Sequence, residues 1–389
     1  MKKKVGVIFG GRSVEHEVSV ITGQQVMENI DKDKFEVVPI YISKEGKWLT
    51  GPELMTFDSF KKNDFKNLKE MILTPYTKDH KIYAHPNNIG VFGKKVLHDL
   101  DVIFPTIHGT YGEDGTLQGF LELMNIPYVG GGVLASSVGM DKVLMKYVFK
   151  AQGLPITEYS WFFRKQWTKT QEKIVNDVEQ ALGYPVFVKP ANLGSSVGIT
   201  KAKNRTELIK SVEVASHYDR KILIEKAVEN PREINCAVIG YDDEVRASLC
   251  EEPIGWEELL SYEDKYVRSN QKGSGERRII PADIPEGIKQ QIEDLAKAAF
   301  MAIDCSGNAR IDFLIDKDEK VYVNEINTLP GSLAYYLWDK MGFSFKQLIS
   351  EMIDIALAIH QEKNANMYSY DVDLLKRVEF GKGTKNSLK

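Results

Sequence analysis

Residues 309–331 read ARIDFLIDKDEKVYVNEINTLPG. Apolar and polar residues alternate on both sides of the central DKDE, the period of two that marks β-strands. Alternation puts Arg310 and Asp312 on one face of the first strand, and Glu325 and Asn327 on one face of the second. Paired antiparallel, the two strands aim Asp312, Glu325 and Asn327 at one point. Their neighbours Ile311, Phe313, Val323 and Ile326 indicate a buried setting, and carboxylates near a core need a cation. An all-oxygen donor set suits Mg2+, the usual companion of nucleotide phosphates. A set of strand-face ion pairs is the competing reading at this point. The NTLPGS that follows turns at Pro330–Gly331. The Gly331 N–H beside an arginine has the chemistry to hold an oxyanion, although a simple turn accounts for the sequence equally well.

Working outward, VKPANLGSSVGI at residues 188–199 places Lys189 at a strand end, before Gly194, Ser195, Ser196 and Gly198. Small residues let backbone N–H groups turn toward phosphate oxygens. The order is not that of the G-x-x-x-x-G-K-[ST] loop, because the lysine comes first. A glycine-rich hairpin is the alternative. HGTYGEDG at 108–115 holds three glycines and two acids, more than a turn needs, and is also readable as a tight polar loop. Near the N-terminus, VGVIFGGRSVEHEVS at 5–19 runs from an apolar strand through two glycines into a helix. Gly6, Gly10 and Gly11 do not make G-x-G-x-x-G, which argues against a dinucleotide.

The 389 residues suit two or three domains. Hydrophobic content of 43%, charged content of 27% and a net charge of -4 fit a soluble protein with no nucleic-acid or membrane partner. No apolar run reaches the ~18 residues that span a bilayer, and the apolar stretch after MKKK is short for a signal peptide. Three scattered cysteines, Cys236, Cys250 and Cys305, exclude a zinc ribbon or disulfide framework and fit a reducing cytoplasm. KVGVIFGG, FEVVPIYI and LDVIFPTIHG read as strands of an open, mostly parallel sheet, whose ligands bind at the strands' carboxyl ends. NNIGVFGKKVL reads as a hairpin or extra strand. Further on, KILIEKAV and REINCAVIG add strands, and two amphipathic helices follow. Their stripes are Ile288, Ile292, Leu295, Ala299 and Ile303, and then Phe345, Leu348, Met352 and Ile359.

GGRSVEHEVS, HGTYGEDGTLQG, MDK, VKPANLGSSVGI, IEKAV, YEDKY, RIDF and NEINTLPG follow one another between residue 5 and about residue 345. On this ordered set the chain resembles the D-alanine–D-alanine ligases of the ATP-grasp superfamily. The resemblance implies an α/β fold, α+β in its C-terminal part. A pre-ATP-grasp open parallel sheet domain would occupy 1–140 and an ATP-grasp domain 141–360. The latter would divide into subdomains at about 141–228 and 229–360, with a lid loop at about 255–285 and a tail at 361–389.

It further implies an ATP-dependent enzyme that joins two D-alanine molecules through an acyl phosphate, for peptidoglycan precursors. Lys142, Lys189 and Ser196 would bind the ATP phosphates. Glu225 and the backbone at Lys226 and Ala227 would hold the adenine amino group, and Glu233 the ribose. Asp312, Glu325 and Asn327 would hold two Mg2+ ions, for which Mn2+ can substitute. Glu15 would take the ammonium of the first D-alanine, linked to Ser195 and Tyr266. Lys265 would join Lys142 and Lys189 in offsetting charge, while Arg310 and the Gly331 N–H would hold the oxyanion. An acyl phosphate hydrolyses readily, so a lid is needed. The resemblance also implies a cytoplasmic homodimer.

Two features depart from the family pattern. Tyr336 stands where a serine would bind the carboxylate of the second substrate, and Ser332 is a candidate substitute. The lid is basic, with Arg268, Lys272, Arg277 and Arg278, which reads either as a solvated loop or as help for a substrate carboxylate or phosphate. Tyr266 favours an amine over a hydroxy acid as acceptor. A D-serine or D-lactate acceptor, and a non-catalytic nucleotide-binding protein on the same scaffold, are the alternatives. The full set of lysines, metal ligands and Glu15 argues against the last.

Overall fold

Three sheets follow one another along the chain. They are seen in a computed structural model that describes residues 2–62, 65–85, 95–254 and 278–372. Lys265, Tyr266, Arg268, Lys272 and Arg277, most of the expected lid, most of NNIGVFGKKVL and the end of the tail lie outside the described residues.

The first sheet holds β1 (Lys3–Gly10), β2 (Phe35–Ile42), β3 (Trp48–Thr50), β4 (Lys69–Ile72), β5 (Lys81–Ala84), β6 (Val96–Asp99) and β7 (Val102–Pro105), in the order β6-β5-β4-β3-β2-β1-β7. β1 lies between β2 and the edge strand β7 and is parallel to both. From β2 to β6 the pairing is antiparallel. The parallel expectation therefore holds for β1, β2 and β7. Residues 43–47 are too few for a crossover, so β3 turns back along β2. At the end of β1, Gly10 and Gly11 take φ of +91° and +98°. A Cβ on Gly10 would sit 2.3 Å from the Ile42 carbonyl oxygen, so only glycine lets the chain turn there into the helix His16–Asn29.

The second sheet contains β8 (Tyr159–Phe163), β9 (Val186–Pro190), β10 (Thr200–Ala202) and β11 (Lys221–Lys226), antiparallel in the order β10-β9-β11-β8. Val175 and Val178 of one helix and Leu208 and Val212 of another pack on its Val186, Val188, Ile222 and Ile224.

The third sheet has β12 (Arg232–Tyr241), β13 (Glu244–Pro253), β14 (Arg278–Ile279), β15 (Gly307–Ile315) and β16 (Val321–Asn327), in the order β14-β13-β12-β15-β16. Its apolar face, with Cys236, Ile311, Phe313 and Ile326, is covered by the helix Glu286–Ala302. The buried centre of that helix is Ile292, Ala296, Ala299 and Phe300. The stripe is thus rotated slightly from the one read in sequence, and Ile288 and Leu295 fall at its edge. The helix Phe345–Lys363 joins the first sheet, where Leu348 and Met352 share a core with Val5, Phe9, Phe104 and Trp338. Among the described residues no helix is long and apolar enough to cross a membrane.

Candidate active site

The register of β15 and β16 sets Asp312 opposite Glu325 and Arg310 opposite Asn327. All four project from the face away from the apolar core. Asn327 Nδ2 donates to Asp312 Oδ2 at 3.0 Å. Arg310 grips the same carboxylate in a fork, Nε to Oδ1 at 2.6 Å and Nη2 to Oδ2 at 2.7 Å. Glu325 Oε2 lies 3.3 Å from Lys142 Nζ. Burial alone would raise the Glu325 carboxyl, but the charges of Lys142 and Lys189 hold it down to about 2. Asp312 shifts the other way, because burial and the nearby Glu325 and Glu251 outweigh Arg310. The row continues across the sheet, for Asp312 is also opposite Asn235 on β12, and Asn235 is opposite Glu251 on β13.

Lys142 opens the helix Lys142–Ala151, capped by Asp141, whose Oδ1 accepts the Val143 and Leu144 N–H groups at 3.1 Å each. Its Nζ donates to the Leu193 carbonyl at 3.1 Å, tying the helix start to the glycine loop. In that loop Ser195 and Ser196 both adopt the left-handed region, at φ +55° and +58°. Ser195 Oγ donates to Glu15 Oε1, so a residue at the end of the first sheet meets one from the second. The packing there is tight: a Cβ on Gly194 would lie 2.7 Å from Glu15 Oε2, and one on Gly109 2.5 Å from it.

A family model described as the D-ala D-ala ligase N-terminus matches residues 4–131, and one described as the D-ala D-ala ligase C-terminus matches residues 148–354. The chain belongs to the D-alanine–D-alanine ligase family. Relatives named D-alanine–D-alanine ligase include one from Thermosipho africanus, 42% identical over 95% of this chain and 97% of its own. Another, from Acetivibrio thermocellus, is 44% identical over 95% and 99%. Among solved structures, the D-alanine–D-alanine ligase from Coxiella burnetii superposes with a TM-score of 0.77 at 30% identity, covering 94% of this chain and 96% of its own. The VanG D-Ala:D-Ser ligase from Enterococcus faecalis gives 0.78 at 29% identity, covering 92% and 100%.

Glu225 lies at the centre of a buried ionic group. Both Glu225 oxygens are taken by lysines, Oε1 by Lys146 and Oε2 by Lys189, each at 2.5 Å. Thr157 Oγ1 adds a hydrogen bond to Oε1 at 3.1 Å. The Glu225 side chain is thus the anion beneath Lys189. The Lys226 N–H donates to the Glu158 carbonyl at 2.9 Å and the Ala227 N–H to that of Pro185 at 3.1 Å, so both are engaged within the fold. Glu233 is exposed on β12, where its charge acts on Lys189. Gly331 starts the short turn Gly331–Ala334, with three residues between it and the β16 end. Ser332, the candidate serine substitute, sends its N–H to Thr22 Oγ1 at 3.3 Å.

Sequence reading missed three residues. Lys146, only 1% exposed, lies one turn after Lys142 on the same helix, where its sequence position alone reads as solvated. Glu113, seen there only as part of a loop, feels the charge of Glu15, and His108 of the same loop approaches Glu113. Glu113 Oε2 accepts the Gly109 N–H at 2.6 Å. Burial, reinforced by the Glu15 charge, pushes the Glu113 carboxyl up to about 8. Burial brings His108 down to about 4. Their 4.0 Å approach is consequently a contact between two neutral groups near pH ~7. Three glycines and a histidine–acid pair in HGTYGEDG were the signal available.

Proposed function

We propose that this protein joins two D-alanine molecules into D-alanyl-D-alanine at the expense of ATP, through an acyl phosphate, for cell-wall precursors. One observation carries the reading: Asp312, Glu325 and Asn327 share one face, Lys142 lies 3.3 Å from Glu325, and Glu15 is bonded across the cleft to Ser195. Anion-binding, metal-binding and ammonium-binding groups thus converge.

In this reading the carboxylate of the first D-alanine attacks the γ-phosphate of ATP and ADP leaves. The amine of the second then attacks the acyl carbon and phosphate departs. Glu15, positioned by Ser195, holds the ammonium of the first substrate. Tyr266 and Lys265 are assigned to the same site by family resemblance, as is Glu233 to the ribose. Lys142 and Lys189 hold the phosphates, with Ser196 in the same loop, and most of the catalysis is positioning and charge neutralisation. Arg310 and the Gly331 N–H stabilise the oxyanion of the second step.

The donor set fits divalent magnesium. Among the described residues no group of three His, Cys, Asp or Glu side chains is placed to hold a metal ion. Two carboxylates and an amide are what Mg2+ takes when substrate phosphates complete its shell. Asp312, Glu325 and Asn327 would hold two such ions, with Mn2+ a working substitute. When bound at these residues, the metal would supply positive charge that offsets the phosphates held by Lys142 and Lys189.

We further assign an N-terminal domain to 1–140 and an ATP-grasp domain to 141–360, and place the protein in the bacterial cytoplasm as a homodimer. The deciding experiment is a substrate panel. Purified protein with ATP, Mg2+ and D-alanine releases phosphate and forms the dipeptide. No turnover on D-alanine, with turnover on D-serine or D-lactate as acceptor, would refute the substrate assignment.

A further inference from the structure

The polar row Glu325–Asp312–Asn235–Glu251 crosses four strands, and its two ends differ. At the Glu325 end stand Lys142 and Lys189, the cations assigned above to phosphate. At the Glu251 end stands a separate cation, Arg278. Strand spacing of ~4.8 Å puts Glu251 roughly 10 Å from Asp312, the reach of a small amino acid joined to the reacting centre.

The Glu251 carboxylate, 3% exposed, is held on all sides. Tyr336 Oη and Asn235 Nδ2 donate to Oε1 at 2.9 Å each. Arg278 Nη1 donates to Oε2 at 3.3 Å. The Arg278 guanidinium also lies 3.9 Å over the centre of the Tyr336 ring. Burial, with the Glu251 charge, pushes the Tyr336 hydroxyl up to about 12, so its proton stays on. That proton is spent on Glu251. Tyr336 therefore does not replace the missing serine as a hydroxyl donor. What it supplies is a flat surface on which a guanidinium is fixed. Arg278 itself is 40% exposed, and its single bond to Glu251 uses one of five N–H donors.

We infer that Arg278 is the receptor for the carboxylate of the second, acceptor amino acid, with Tyr336 as the platform that positions it and Glu251 as its tether. A planar fork matches a carboxylate in two parallel hydrogen bonds. The triphosphate lies at the other end of the row, so the anion left for Arg278 is the acceptor's. The inference rests on the reaction proposed above.

The test is a competition for the acceptor position between D-alanine and D-alaninamide, which keeps the amine and lacks the carboxylate. Both products are separated by chromatography. Wild type is expected to favour D-alanine by at least ~10-fold, the scale of a charge-assisted bidentate contact. In Arg278→Ala the preference falls to within ~3-fold of unity while KM for ATP holds, with Arg278→Lys intermediate. Tyr336→Ala, which removes the platform, loses the preference as well, whereas Tyr336→Phe keeps most of it. A preference unchanged in Arg278→Ala overturns the inference. Should that variant be insoluble, Arg278→Gln reads the same ratio. If wild type forms neither product, the substrate reading has failed and not the role of Arg278. The ratio is then measured on the acceptor amino acid that the substrate panel identifies, against its amide.

Discussion

Replacing Glu225 by Gln removes one charge from the most enclosed ionic group of the cleft and leaves its shape intact. Lys146 and Lys189 each lie 2.5 Å from this carboxylate, and their side chains are only 1% and 13% exposed. Burial pulls Lys146 toward the neutral form, and Glu225 opposes it. Burial would also raise Glu225, yet the two lysines hold it well below the usual carboxylate range. Removing the central anion of a buried ionic cluster costs about 3–5 kcal/mol, because uncompensated charge remains. Glu225→Gln is expected to lose at least ~3 kcal/mol in chemical denaturation at pH ~7. Lys146→Met in the same background should recover part of that, with a coupling energy on the order of 2 kcal/mol. KM for ATP should rise, since Lys189 loses its anchor. Because the folded-state value of Glu225 is depressed, its contribution is present above the ordinary carboxylate range and lost as pH falls through the folded one. A loss under ~1 kcal/mol, additive with Lys146→Met, would refute the reasoning.

Glu113 gives the opposite pH dependence. Its carboxyl sits at about 8 against an ordinary 4.5, so its stabilising contribution is complete below the ordinary value and is lost as pH rises toward 8. Glu113→Gln should flatten that decline, which is worth roughly 5 kcal/mol at most, and melting curves at pH ~5 and ~8 check it. Gly194 lacks a strained φ, and a Cβ there would press on Glu15 at 2.7 Å. Gly194→Ala is expected to raise KM for the first D-alanine ~10-fold with KM for ATP nearly unchanged, as measured by initial rates.

The C-terminal sheet was the most legible part of the sequence. Arg310, Asp312, Glu325 and Asn327 alternate with Ile311, Phe313, Val323 and Ile326, and period two fixes faces without tertiary knowledge. The pairing that lines up Glu251 and Asn235 with Asp312 was not legible, because register is set across strands distant in sequence. β3 to β6 escaped the parallel expectation because short apolar runs do not announce strand direction. Lys146 looks like any lysine of an amphipathic helix, and only Glu225, brought in by β11, explains its burial. The charge state of Glu113 depends on enclosure by His108, Gly109 and Glu15, which local sequence does not encode.

The central claim is that two neighbouring strands hold the phosphoryl-transfer site. Glu325→Gln, assayed for phosphate release with ATP, Mg2+ and D-alanine, tests it most directly. The rate is expected to fall at least ~100-fold while the melting temperature stays within a few degrees of wild type. Release within ~3-fold of wild type would contradict it.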